Sequence, residues 1–166
     1  MGAIMKIKLD QNAILPSRAH AQDAGLDLFS REEQIILPGE SAVFDTGVHV
    51  ELPEGTFGKL ESKSGLHFRY NIVCLGGVVD ASYRGSINVK LTNIGDKPYM
   101  VRKGQKIVQM IIQSYLAPEI ELTDSLSDTD RGENGFGSTD PLTNQTSPTN
   151  EALRNNEKFW EGEHGV

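Results

Sequence analysis

Short apolar runs separated by polar turns dominate the first two thirds of the chain. They fall at residues 5–9, 26–29, 34–37, 42–44, 48–52, 57–60, 72–75, 87–91, 99–101 and 107–112. Some alternate apolar and polar residues with the two-residue period of a half-buried strand, as in Leu26-Asp27-Leu28. Turn signals stand between them, among them Pro38-Gly39, Pro53-Glu54-Gly55 and Gly95-Asp96-Lys97-Pro98. Ten short strands punctuated this way predict an all-β sandwich or barrel. Before residue 119 only 64–70 reads as a short helix. There is no fixed-period repeat.

The strand pattern stops near residue 119. Residues 1–118 read as the β domain, 119–140 as a C-terminal arm and 141–166 as a polar, acidic tail. Within the tail, PLTNQTSPTN (141–150) has linker composition. Residues 151–163 carry Leu153, Phe159 and Trp160 among charges and read equally as a docked helix or an unattached segment.

Charge sharpens this division. The 166 residues hold 16 Lys+Arg and 23 Asp+Glu, a formal charge of −7, which speaks against general nucleic-acid binding. Residues 1–118 have 13 basic and 12 acidic residues, net +1, whereas 119–166 have 3 and 11, net −8. The β domain is therefore near neutral and compatible with a small polyanion. No run of about 18 apolar residues could span a bilayer. The lone Cys74 rules out an internal disulfide and fits a reducing compartment. The opening MGAIMKIKLD lacks a signal-peptide core and has Lys6 where myristoylation needs Ser or Thr. The expectation is a soluble intracellular protein, cytoplasmic or nuclear.

Nine of the 17 glycines fall in five segments that could carry chemistry. In DAGLDLFS (23–30), Asp27 faces away from the leucine side, either as a solvated acid or as a metal holder through water. SKSGL (62–66) places Lys63, Ser64 and Gly65 at a turn, a capped turn or a phosphate nest. GGVVDASYRG (76–85) fits a β-hairpin open to a flat ligand. There Asp80 could serve as general base on a water and Tyr83 could pack on a sugar, or both could be structural. In GQKIVQMII (104–112), the amide of Gln109 either braces the fold or points into a site. RGENGFGSTD (131–140) reads as a mobile flap whose Arg131, Ser138 and Thr139 suit phosphate oxygens, with Phe136 its lone aromatic. Zinc-ligand spacing, a P-loop, a dinucleotide fingerprint and a hydrolase elbow are all missing.

Taken in order, these five segments resemble the five motifs of the homotrimeric dUTPase family, from about residue 4 to 139. The resemblance implies a jelly-roll-like β fold in a three-fold trimer, with a flexible arm closing over a neighbour's site. It implies hydrolysis of dUTP to dUMP and pyrophosphate by water attack on the α-phosphate, with Mg²⁺ on the triphosphate. Asp80 would activate the water, and Tyr83 would stack under deoxyribose and exclude a 2′-OH. Backbone at Gly77 would read uracil. Lys63, Ser64, Gly65 and Gln109 would hold phosphates, and Asp27 would hold Mg²⁺ through water. Phe136 and Gly137 would belong to the flap over uracil, with Arg131, Ser138 and Thr139 on the γ-phosphate.

Some positions depart from the family pattern. Lys63 replaces Arg and loses its planar fork. Cys74 stands where Asn is common, Asp140 where Gly is usual, and Gln105-Lys106 where Asp-Arg is common, which alters a structural ion pair. The tail has no counterpart in the minimal pattern and is a candidate surface for a protein partner. Two rivals remain, a dCTP deaminase and a regulatory protein-binding module. The deaminase would need a Glu near 76–85, and none is evident in the sequence.

Overall fold

The computed structural model of the protein describes residues 4–134. The expected flap residues Phe136, Gly137, Ser138 and Thr139, with Asp140 and the tail, lie outside them. By its contacts the chain divides into two units, Met1–Glu119 and Ile120–Val166. The strands and helix of the described residues all lie in the first: β1 (Lys6–Leu9), β2 (Leu26–Phe29), β3 (Gln34–Ile36), β4 (Ser41–Asp45), β5 (Val48–Glu51), β6 (Thr56–Glu61), α1 (Ser64–Tyr70), β7 (Ile72–Cys74), β8 (Val78–Asp80), β9 (Asn88–Asn93), β10 (Tyr99–Val101) and β11 (Lys106–Ser114). Two larger antiparallel sheets, β2-β11-β6-β8 and β4-β9-β7, are joined by the pairs β1-β5 and β10-β3. The fold is all-β with one short helix, as the pattern predicts.

Alternation explains which faces are buried. Ala42 and Phe44 on β4 and Val89 and Leu91 on β9 point inward, and meet Leu28, Ile36, Val48, Ile107 and Met110 in one core. Helix α1 ends at Asn71, whose left-handed backbone (φ 55°) and amide bond to the His67 carbonyl (3.0 Å) close the last turn.

The prediction failed at one element. Residues 76–85 do not close as a β-hairpin: β8 pairs with β6 and β7 with β9, so the chain crosses between sheets at Gly76-Gly77. Val78 and Val79 are too short an apolar run to mark a strand. Only the long-range partner β6 makes it one.

The buried Asn93 shows how the loops are held. Its Nδ2 donates to the carbonyls of Ile36 (3.0 Å) and Lys97 (2.7 Å), and its Oδ1 accepts from the Gly95 amide (2.9 Å). One side chain thus satisfies three backbone groups from two segments. Asn93→Ala is expected to lower the unfolding free energy by about 3 kcal/mol, since it orphans buried backbone groups. Urea denaturation measures this, and a loss under about 1 kcal/mol would contradict the assignment.

Candidate active site

Three neighbouring strands build a charged cluster. Asp27 on β2 lies opposite Gln109 on β11, which lies opposite Glu61 on β6, so the three share one face. The leucines flanking Asp27 enter the core, as the alternation predicts. The solvated-acid alternative does not hold: the Asp27 side chain is only 7% exposed. Lys63 forms an ion pair with one carboxylate oxygen, and Lys106 Nζ lies 2.8 Å from the other. Lys63 precedes α1 in an extended conformation and makes no side-chain cap, which leaves its ammonium for Asp27. Burial acts to raise the Asp27 pKa, but bonds and charges from Lys106 and Lys63 outweigh it and hold the carboxyl below its usual range.

Gln109 is a brace. Its Nε2 donates to the Ser62 carbonyl (3.1 Å), and a Cβ on Gly25 would displace its amide from this position. Ser62 was not among the expected site residues. Its Oγ accepts from the Cys74 amide (2.8 Å), which ties the turn before α1 to β7. Ser64 and Gly65 are exposed at the start of α1.

A second group forms on the far edge of the sheet. The Leu60 amide donates to the Gly77 carbonyl (2.8 Å). With φ at 129°, and Leu60 where a Cβ would sit, Gly77 admits no side chain. Asp80 ends β8, and the turn after it closes through the Tyr83 amide on the Asp80 carbonyl (3.0 Å). The Tyr83 hydroxyl donates to the Ser86 carbonyl (3.0 Å) and so sets the ring's direction. A cavity of about 220 Å³ is lined by Leu60, Gly77, Val79, Asp80, Tyr83 and Asn88. Asp80 is exposed, and no side chain among the described residues donates to its carboxylate, leaving lone pairs for a water. Cys74 is half-buried, with Sγ 3.6 Å from the Gly76 carbonyl. Burial first, and Glu61 second, push its thiol up to about 11.

The two carboxylates stand apart within the sheet. Asp27 and Asp80 occupy opposite outer strands, three spacings or about 14 Å apart across the sheet. Asp80 also pairs at Phe57, whereas the Asp27 row crosses β6 at Glu61, about 13 Å further along. In the second unit, Arg131 Nε donates to the Asn134 carbonyl (2.9 Å). A hollow of about 550 Å³ there is lined by Asp124, Asp128 and Glu133 and by no cation, the wrong charge for a polyphosphate.

An all-β body with a free carboxylate beside a glycine-walled cavity, and paired ammoniums elsewhere, defines a protein equipped for a phosphorylated small molecule. The sequence model of the dUTPase family matches residues 11–140, and the chain belongs to that family. It is 47% identical over 134 residues to the deoxyuridine 5'-triphosphate nucleotidohydrolase of Trichodesmium erythraeum, covering 80% of this chain and 94% of the relative. The Clostridium tetani protein of the same description is 46% identical over 138 residues, covering 81% and 95%. Among solved structures, the Staphylococcus bacteriophage 80alpha dUTPase with dUPNHPP aligns with a TM-score of 0.77 at 32% identity, covering 81% of this chain and 97% of that one. A mutant phage phi11 dUTPase, described as revealing the coordination of a structural Mg(II) ion, aligns at 0.69 and 28% identity, covering 74% and 97%.

Two outcomes follow from the ionisation states. A depressed native pKa at Asp27 stabilises the fold above the unfolded value near 4 and loses that contribution as pH falls through the native one. The stability gap between the protein and Asp27→Asn should therefore narrow from pH 7 to pH 3 in urea titrations. A constant gap would refute the ion pairing. For Cys74, iodoacetamide at pH 8 should react about a hundredfold more slowly than with a free thiol.

Proposed function

We propose that this chain hydrolyses dUTP to dUMP and pyrophosphate, with Asp80 as the base that activates water. The observation that carries this reading is the cavity in which the unbonded Asp80 carboxylate sits with Gly77 and Tyr83. A water oxygen attacks the α-phosphorus while its proton passes to Asp80. The bond from the α-phosphorus to the oxygen bridging the α- and β-phosphates breaks, and pyrophosphate leaves. Backbone at Gly77 reads the uracil edge, in a space that an added methyl would crowd. The Tyr83 ring lies under deoxyribose and leaves no room for a 2′-OH. Lys63, Ser64, Gly65 and Gln109 hold phosphate oxygens. The flap residues Arg131, Phe136, Gly137, Ser138 and Thr139 close over uracil and the γ-phosphate.

The working unit is a three-fold trimer of jelly-roll-like subunits with shared sites. Its support is the chain's membership of the dUTPase family, whose sites are shared between subunits.

Mg²⁺ is the expected cofactor. Among the described residues no three His, Cys, Asp or Glu side chains come together as a metal cage. Asp27 with its two lysines carries a net positive charge, which disfavours a free cation. The donor set therefore suits an ion that arrives on the triphosphate, and a water-mediated contact from Asp27 would require one of its two ammoniums to turn away. Bound there, Mg²⁺ would neutralise phosphate charge. No helix among the described residues is long and apolar enough to cross a membrane. The place of action is the cell interior, where the reaction keeps uracil out of DNA and supplies dUMP. The tail remains the surface for any protein partner.

With dUTP and Mg²⁺, the protein should release pyrophosphate. Asp80→Ala should lower turnover by about 10³-fold or more while the dUTP analogue still binds. Absence of turnover in the unaltered protein would refute the reading. Deleting 141–166 should spare hydrolysis, and deleting 131–166 should abolish it. Mixing the longer deletion with Asp80→Ala subunits should restore partial activity, because each supplies what the other lacks. No recovery would overturn the shared site.

A further inference from the structure

We propose that Lys106 is a second phosphate-binding cation of this site, aimed by a β-bulge and held beside Lys63 by the carboxylate of Asp27. The inference rests on the dUTP hydrolase reading and adds a residue which that reading leaves out.

The register of β11 against β2 carries the argument. Gln109 opposes Asp27 and Val108 opposes Leu28, so a regular ladder would set Ile107 against Phe29 and Lys106 against Ser30. Lys106 would then leave the Asp27 face, because a one-residue step reverses the side-chain direction. Instead, the pairing shifts between Val108 and Lys106, and Lys106 opposes Phe29. The bulge sends Ile107 into the core, fully buried, and turns Lys106 onto the face of Asp27 and Phe29. Lys106 Nζ lies 6.0 Å from the centre of the Phe29 ring and 2.8 Å from Asp27 Oδ2.

The resulting group is more than a neutral ion pair. One carboxylate anchors two ammoniums and leaves a net charge of +1. Asp27 sits at the back, 7% exposed, while Lys63 and Lys106 are 25% and 40% exposed, on the open side. Each ammonium has three N–H donors and spends one on Asp27. Neither ammonium has another acceptor among the described residues, so phosphate oxygens can take the remaining donors. The other acid on this face, Glu61, is already paired with Lys59.

A lone ammonium lacks the planar, pre-set fork of a guanidinium. Two lysines on a common carboxylate make a two-point contact with two side chains. The ligand they suit is a di- or triphosphate rather than a monophosphate, since two separated donors match oxygens on a phosphate chain.

The test is calorimetric titration of dUPNHPP, and separately of dUMP, in EDTA so that metal plays no part. Lys106→Met should weaken dUPNHPP about tenfold to a hundredfold, as for a lost charge-assisted bond, and change dUMP less than twofold. Lys106→Arg should retain most of the affinity. Asp27→Asn/Lys106→Met should remain weak. Unchanged dUPNHPP binding by Lys106→Met, or equal losses for both ligands, would overturn the proposal. Recovery in the double variant would also overturn it, since Lys106 would then serve only to neutralise Asp27. Lys106→Gln provides the same reading if Met disturbs the strand. If the unaltered protein fails to hydrolyse dUTP, inorganic pyrophosphate replaces dUPNHPP. A loss of its binding on Lys106→Met would keep the anion site while the hydrolase reading falls.

Discussion

Strand β11 must satisfy two neighbours and two faces at once, and much of the molecule follows from how it does so. It pairs with β2 on one side and β6 on the other. Its apolar residues Ile107, Val108 and Met110 are all fully buried, although a strictly alternating strand cannot bury two in succession on one face. The bulge resolves the conflict. It places Ile107 in the core and frees the preceding lysine for the polar face, where the buried Asp27 needs cations. A carboxylate withdrawn from water is tolerated only when paired, so strand register and site charge are one arrangement.

The sheet then separates the two chemical tasks. One outer strand, β2, carries the acid that organises cations. The other, β8, carries an acid left free to accept a proton. Their environments differ accordingly: ammoniums saturate Asp27, whereas Asp80 projects into an open cavity beside Gly77. Two carboxylates of the same type thus have different surroundings, set by their neighbours alone. The near-neutral β domain, with acidity confined largely to residues 119–166, reconciles an acidic chain with an anionic substrate.

Much of this was legible in the linear pattern because it depends on local alternation. The ten runs correspond to ten strands, within a residue or two at their ends, and residues 64–70 form the helix. Asp27 was correctly set opposite the leucines. Its burial was not legible, because Lys63 and Lys106 reach it from segments 36 and 79 positions away. The segment 76–85 was singled out for its glycines and acid, but read as a hairpin. Its strand partner is β6, some twenty residues earlier, and no local signal marks that pairing. Lys106 stands out in the sequence only as a departure from a family ion pair, and its partner Asp27, like the Cys74 amide on Ser62, comes from a distant segment.

The sequence by itself determined the all-β class, the positions of the strands and turns, and the five segments in which the chemistry is concentrated. These depend on short-range periodicity, backbone preference and residue type, which need no knowledge of what lies alongside. Only the tertiary structure decided which acid is paired with ammoniums and which has no side-chain donor among the described residues, that Gln109 braces Ser62, and that β8 joins the sheet through β6. Register, bulges and ion pairing depend on the partner strand, and the partner is chosen by packing the whole core.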